Sequence, residues 1–263
     1  MVKQFTKYMN LFNSKNNFSN TFYINPSGLC EKDNFSYTSS FDVCRLLFLC
    51  ANNSIMRNIC SKMEAEINIL RDKNNLIIPI DSTMKRFPVL SNYNILIAKT
   101  GSGDGNENLA CVIKHKDKLV SCCILGADTH NCKFYDMKRL IDEAIGIIDS
   151  NKINNFNIDT CKSFCAIDLN TEKVLLSKNK DERLPSMSLN KLLTCLLVTE
   201  NENILQKYLT VTKNDLKNTE NTSGCLFQVN DHVTINDLLY ALMLPSSNQA
   251  ANILANNIKI KKI

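Results

Sequence analysis

The sequence contains no tryptophan, and glycine and proline are scarce, at 7 and 5 of 263 residues. So little Gly and Pro excludes collagenous and Gly/Pro-rich disordered classes, and 44% apolar with 22% charged residues is ordinary globular composition. No apolar run approaches the length of a membrane span; Leu46–Ala51 is among the longest core-like stretches. The opening Met-Val-Lys-Gln-Phe-Thr-Lys-Tyr holds no uninterrupted apolar region, so no signal peptide is expected there. Neither sign of charge dominates: 31 Lys and Arg against 26 Asp and Glu leave +5. The densest basic cluster, Lys259, Lys261 and Lys262, reads as a solvated tail. No basic stripe is interleaved with aromatics, so no nucleic-acid partner is expected.

Cysteine is abundant, at 12 residues, but none form a CxxC pair and none pair with histidine at zinc spacing. Most fall in apolar segments, where a thiol acts as a small hydrophobe, so reduced, buried cysteines are expected rather than a disulfide framework. The Cys122-Cys123 pair alternates faces on a strand, which predicts at most one toward the core. No metal or cofactor is called for.

Phe5, Tyr8, Met9 and Phe12 fall on one face of a helix over 3–16. A turn follows at Asn25-Pro26-Ser27-Gly28, then a helix starting near Thr38 or Ser39 and a short one over 54–62. Residues 63–98 are mixed, with strands expected at 76–80 and 95–98. Residues 109–114 and 119–125 form a hairpin around His115–Lys118, followed by a helix over 136–149 with Met137, Leu140, Ile141, Ala144 and Ile148 inward. The polar stretch 150–160 reads as a linker. A second hairpin turns at Asn170-Thr171, and helices follow over 188–200, after the capping box Thr234–Asp237, and over 247–258. Strands in the middle and helices at both ends give an α+β class.

Three short motifs carry chemistry. Ser188-Leu189-Asn190-Lys191 puts Ser188 and Lys191 one turn apart on a helix face, where a lysine of weakened proton affinity takes the hydroxyl proton. Ser246-Ser247-Asn248 offers a hydroxyl for proton relay and an amide for a substrate peptide group. Lys99-Thr100-Gly101, at the expected end of a strand, offers a cation and hydroxyl for a carboxylate, with Gly101 admitting a substrate backbone. Alone, each has a bland alternative: a surface Ser with a solvated Lys, a helix cap, a strand end. None of His115, His130 and His232 is placed near Ser188 by sequence, so neither a Ser-His-Asp triad nor a cysteine nucleophile is expected.

Together SxxK, SxN and KTG are the serine-active set of penicillin-binding proteins and class A β-lactamases. Residues 164–201, with the "ER-P-S" approach to SxxK, resemble the opening of the D-alanyl-D-alanine carboxypeptidases of the S11 peptidase family. Residues 233–255 are similar to that family's SxN helices. Residues 5–29, ending Asn25-Pro26-Ser27-Gly28-Leu29, resemble its "N-P-x-G-L" segment, and Tyr37–Asp42 its "Y-S-T-x-x-D" helix start. Residues 96–148 resemble its KTG strand, hairpin and closing helix.

The resemblance implies a β-lactamase/penicillin-binding-protein-like fold: an antiparallel sheet flanked by helices, plus a helical subdomain. The order of parts differs from the family's, which runs SxxK, SxN, KTG. Residues 1–150 resemble the family's C-terminal half and 162–263 its N-terminal half. The expectation is one circularly permuted domain over 1–263, with 151–161 linking the old ends. A window on two tandem copies, or an assembly artefact, is the alternative explanation.

Carried over by position, Ser188 is implied as acylated nucleophile, Lys191 as its base and Ser246 as proton relay. Asn248, Lys99, Thr100, Gly101 and Ser102 are implied to bind substrate, with backbone N–H groups of Ser188 and Ser102 as oxyanion hole. Departures are Ser247 for the family's Gly, Gln249 for its frequent Asp, and Ser102-Gly103-Asp104-Gly105 for its aromatic and Thr after KTG. The implied activity is removal of the terminal D-Ala from peptidoglycan stem peptides without metal or cofactor, with β-lactams as covalent inhibitors and an extracytoplasmic, cell-envelope location. A β-lactamase, with Glu64 or Glu66 as deacylating carboxylate, and an inactive wall-binding relative are the alternatives.

Overall fold

A computed structural model describes residues 1–30, 34–150, 155–219 and 222–260. In chain order the elements are α1 (Val2–Lys15), β1 (Tyr37–Thr38), α2 (Ser40–Asn52), α3 (Ser54–Cys60), β2 (Glu64–Arg71), β3 (Asn74–Asp81), β4 (Asn94–Gly103), β5 (Asn106–His115), β6 (Lys118–Ala127) and α4 (Cys132–Ser150). Then follow β7 (Cys161–Asp168), β8 (Lys173–Lys178), β9 (Leu184–Pro185), α5 (Asn190–Thr199), β10 (Tyr208–Thr210), β11 (His232–Thr234), α6 (Ile235–Met243) and α7 (Asn248–Asn257).

The central sheet is an antiparallel meander in the order β4-β5-β6-β7-β8. Its tight β4–β5 turn is built on Asp104 and Gly105, both at positive φ, the Asp-Gly chemistry that a two-residue hairpin requires. α4 covers one face, burying Phe134, Met137, Leu140, Ile141, Ala144 and Ile147 against Leu109, Cys111, Cys122 and Ile124. On the other face lie α2 and a helical layer of α1, α5, α6 and α7, with Val112, Cys123, Leu125 and Cys165 facing that core. This is an α+β fold, an antiparallel sheet flanked by helices, consistent with the architecture that the resemblance implies.

The layers explain why both Cys122 and Cys123 are buried, against the expectation of one: helices cover both faces of the sheet. All twelve cysteines are free, eight of them buried. A smaller antiparallel sheet, β10-β11-β2-β3, flanks the helical layer. Its strand β2 falls in the stretch read as mixed. Ile67 and Ile69 are buried while Glu64, Glu66, Asn68 and Leu70 are exposed, a period of two.

Helix caps fall where the sequence placed them. Ser39 caps α2 through Asp42 N, and Thr234 caps α6 through Asp237 N. α4 begins four residues before its expected start, and Ile147 rather than Ile148 is its last buried residue. The linker expected over 151–161 lies partly outside the described residues; 155–160 carry no regular element and Cys161 already belongs to β7. Of the basic tail, Lys259 is exposed and the two later lysines lie outside the described residues.

β6 and β7, on either side of that linker, pair directly from Val120↔Asp168 to Ala127↔Cys161, so the two halves of the chain share one sheet. α1 packs on α7, with Val2 N donating to Asn256 Oδ1 at 3.2 Å. Among the described residues no helix is long and apolar enough to cross a membrane.

Candidate active site

All ten residues of α5 are buried, so its polar residues must find partners inside the protein. The Asn25–Leu29 loop supplies them. Three successive carbonyls, of Asn25, Pro26 and Ser27, accept from Asn190 Nδ2 (2.9 Å), Thr194 Oγ1 (2.8 Å) and Lys191 Nζ (2.9 Å). Asn25 Oδ1 closes the loop by accepting from Gly28 N at 2.8 Å. Gly28 has φ +83°, and a Cβ there would sit 1.8 Å from Met187 O. The loop thus presses on the backbone immediately before Ser188.

The helix expected from Ser188 begins instead with a 3-10 turn over Met187–Leu189, and α5 proper starts at Asn190. Met187 has φ +50°, a conformation disfavoured by on the order of 1–3 kcal/mol for a residue with a side chain. Asn108, buried between β5 and this turn, donates to Pro185 O (2.8 Å) and Ser186 O (3.3 Å) while its own oxygen accepts from Gly126 N (2.9 Å). It fastens the Ser188 segment to the central sheet.

Lys191 Nζ donates to Ser188 Oγ at 2.8 Å and to Asn248 Oδ1 at 2.7 Å. Its side chain is fully buried, and burial, reinforced by nearby Lys99, holds its proton affinity well below that of an ordinary lysine. Lys99, 1% exposed, donates to Ser246 Oγ (2.9 Å) and Thr100 O (3.0 Å), and burial brings its pKa down to about 7. Ser246, like Met187, takes a left-handed backbone, with φ +63°.

The Lys99-Thr100-Gly101 segment is not at a strand end: β4 runs on to Gly103. A Cβ on Gly101 would lie 3.2 Å from Ser186 O, Met187 Cβ and Ser188 N. What Gly101 admits is therefore the Ser188 turn itself, where a substrate backbone had been expected. Thr100 Oγ1 donates to Thr83 Oγ1 at 2.9 Å.

The departures around SxN have local explanations. Ser247 caps α7 through Ala250 N and donates to Gly224 O at 2.6 Å. Gln249 Oε1 accepts from Leu226 N (2.8 Å) and Phe227 N (3.0 Å), a task that needs an acceptor and no charge.

Ser188 lies where two cavities meet. One, of about 810 Å³, is lined by Leu29, Cys30, Phe35, Asp104, Met187 and Asn248 among others. The second, of about 400 Å³, runs past Thr83, Thr100, His130 and Ser246. Ser102, Ser188 and Ser223 line both. The fold therefore gathers Ser188, Lys191, Ser246, Asn248, Lys99, Thr100, Gly101 and Ser102 at one cleft from three distant stretches of chain.

His130 also lines the cleft, although the sequence did not place it near Ser188; His115 pairs with Asp149 at 3.0 Å and His232 with Thr210, both elsewhere. Glu64 pairs with Lys85 on exposed β2, and Glu66 is exposed on the same strand, so neither carboxylate named for a β-lactamase lines the cleft. Thr83, Asn108, Lys133 and Glu107 were not anticipated, for they sit outside any motif.

Residues 151–260 match the family model described as D-alanyl-D-alanine carboxypeptidase, peptidase S11. Over this segment the chain is similar to the S11 carboxypeptidases. It holds SxxK and SxN, whereas KTG on β4 lies outside the matched residues. The match supports a D-Ala-D-Ala carboxypeptidase-type function and a serine-type hydrolase. No curated protein and no solved structure matches the chain.

Proposed function

We propose that the chain is a serine D,D-carboxypeptidase that removes the terminal D-Ala from peptidoglycan stem peptides through an acyl-enzyme on Ser188. The observation that carries this reading is the buried Lys191 amine, 2.8 Å from Ser188 Oγ and depressed in proton affinity by its surroundings. A neutral amine there accepts the hydroxyl proton as Oγ attacks the penultimate D-Ala carbonyl. The tetrahedral oxyanion forms against the backbone N–H groups of Ser188 and Ser102. The proton taken up by Lys191 is passed on through Ser246, itself bonded to Lys99, to the departing amine nitrogen, so free D-Ala leaves and Lys191 is neutral again. Water then attacks the ester with Lys191 again as base, releasing the shortened peptide and Ser188. Asn248 holds the peptide amide, and Thr100, with Lys99 behind it, takes the terminal carboxylate. β-Lactams acylate the same serine.

The same reading makes 1–263 one permuted transpeptidase-like domain that works in the cell envelope. β6–β7 pairing across the junction of the halves and the contact of α1 with α7 support the permuted order. The assay is release of D-Ala from peptides ending in D-Ala-D-Ala or its amide. Thr100→Val is expected to cost about one to two decades in kcat/KM on the acid, the worth of a charge-assisted hydrogen bond, and far less on the amide. Equal losses on both would remove the carboxylate role from Thr100.

A further inference from the structure

Beside Thr100 the cleft wall contains a group of side chains that the reaction scheme leaves unused. Lys133, on the first turn of α4, has a side chain with no exposed surface. Its Nζ donates to Ser102 Oγ at 2.7 Å and to Glu107 Oε2 at 2.5 Å, with His130 Nδ1 3.2 Å away. Ser102 Oγ donates to the same Glu107 oxygen at 2.7 Å, and His130 Nδ1 lies 3.1 Å from it. The ring of Phe134 lies 5.5 Å from the ammonium. One carboxylate oxygen thus collects the surrounding donors. Ser102, exposed in the cleft, is the member of the group that substrate meets.

Such a convergence of a cation and a hydroxyl is what binds a free carboxylate. Here it is filled from within the protein. Burial pushes the Glu107 carboxyl up, but the hydrogen bonds from Lys133 and Ser102 outweigh it and hold the group ionised, below its ordinary range. The pair Lys133–Glu107 is then neutral at the point where Ser102 faces the cleft.

We propose that Glu107 is a specificity-determining residue: it stands in for a substrate carboxylate on Ser102 and Lys133, and so limits how strongly the cleft prefers a free C-terminal carboxylate over a neutral end. This rests on the proposed reading that the substrate's carboxyl end lies beside Thr100. Withdrawing the negative charge exposes the lysine field to the cleft, whereas withdrawing the lysine leaves an uncompensated carboxylate that repels the substrate's own.

The test is binding, measured by NMR titration of the full chain with N-acetyl-D-alanyl-D-alanine and its C-terminal amide, which needs no turnover. Glu107→Gln is expected to raise the acid-over-amide affinity ratio about tenfold. Lys133→Met is expected to lower it below that of the unaltered protein. Should Glu107→Gln alone fail to fold, with its lysine left unpaired, Glu107→Gln in the Lys133→Met background removes both charges and must restore a higher ratio than Lys133→Met alone. An unchanged or reduced ratio on removing Glu107, in whichever background folds, overturns the proposal. So does absence of binding by both peptides. Binding with the expected ratios but no release of D-Ala would instead count against the reaction alone.

Discussion

Lys191 and Lys99 are lysines buried away from water, and their chemistry follows from it. On the proposed reading Lys191 must be neutral to act as base, so acylation is expected to rise with pH as Lys191 loses its proton, well below the ordinary lysine range. Lys99 loses its charge near pH 7, which weakens the field at Ser246 and Thr100 and is expected to bring the rate down again. Penicillin acylation should therefore follow a bell in pH with its alkaline limb near 7. Lys99→Arg, charged throughout, should move that limb upward. A limb that stays in place in the arginine variant would show that Lys99 does not set it.

The same shift has a consequence for stability. Lys99 binds its proton more weakly folded, at about 7, than unfolded, at its ordinary 10.5. Between those values the unfolded chain holds more protons, so raising the pH favours the native state. The penalty is full below about pH 7 and disappears as pH rises toward 10.5. Lys99→Met is expected to raise the denaturant midpoint at pH 6 while abolishing turnover, and to matter less at pH 10. A midpoint that falls at pH 6 would contradict the buried-charge account.

Among elements, α5 and the Asn25–Leu29 loop form one unit, three loop carbonyls meeting three side chains of the helix. Gly28→Ala drives a Cβ into Met187 O, and no flexible side chain is there to yield. It should destabilise by roughly 1–3 kcal/mol or more through strain and lose penicillin labelling as Ser188 shifts. Thr194→Val, which leaves Pro26 O without its partner, should cost about 1–3 kcal/mol with labelling largely kept. Chemical denaturation with labelling of the folded fraction separates the two.

The long helices, both hairpins and the caps at Ser39 and Thr234 were legible because their periods and caps are local. β1, β9, β10 and β11 were not: two or three residues each, they exist only through pairing with distant strands. β2 was legible in principle from its alternation around Ile67 and Ile69. The motif residues of the site could be named in sequence. Lys133, Glu107 and Asn108 could not, because nothing local says that an α4 lysine meets a β5 carboxylate. Gly101 was named for the approach of a substrate backbone; what the fold brings against it is the protein's own backbone at Ser186–Ser188.

At the scale of the molecule the central sheet is the continuous meander β4 to β8, crossing the junction of the halves between β6 and β7. The contact between Val2 and Asn256 brings the start of α1 against the last turn of α7, a place where a short linker can join the two helices. A variant joined there and opened between residues 150 and 155 should fold with unchanged circular dichroism and keep penicillin labelling. Collapse of the joined variant, with both labelling and folding lost, would contradict the permuted arrangement.

The central claim is that Ser188, activated by Lys191, is the nucleophile at one cleft built from both halves of the chain. Mass spectrometry of the protein after reaction with a β-lactam tests it most directly. The expected result is a single covalent adduct mapping to Ser188 and absent from a folded Ser188→Ala variant. An adduct on Ser186 or Ser246, or no adduct on the folded wild-type chain, would contradict it.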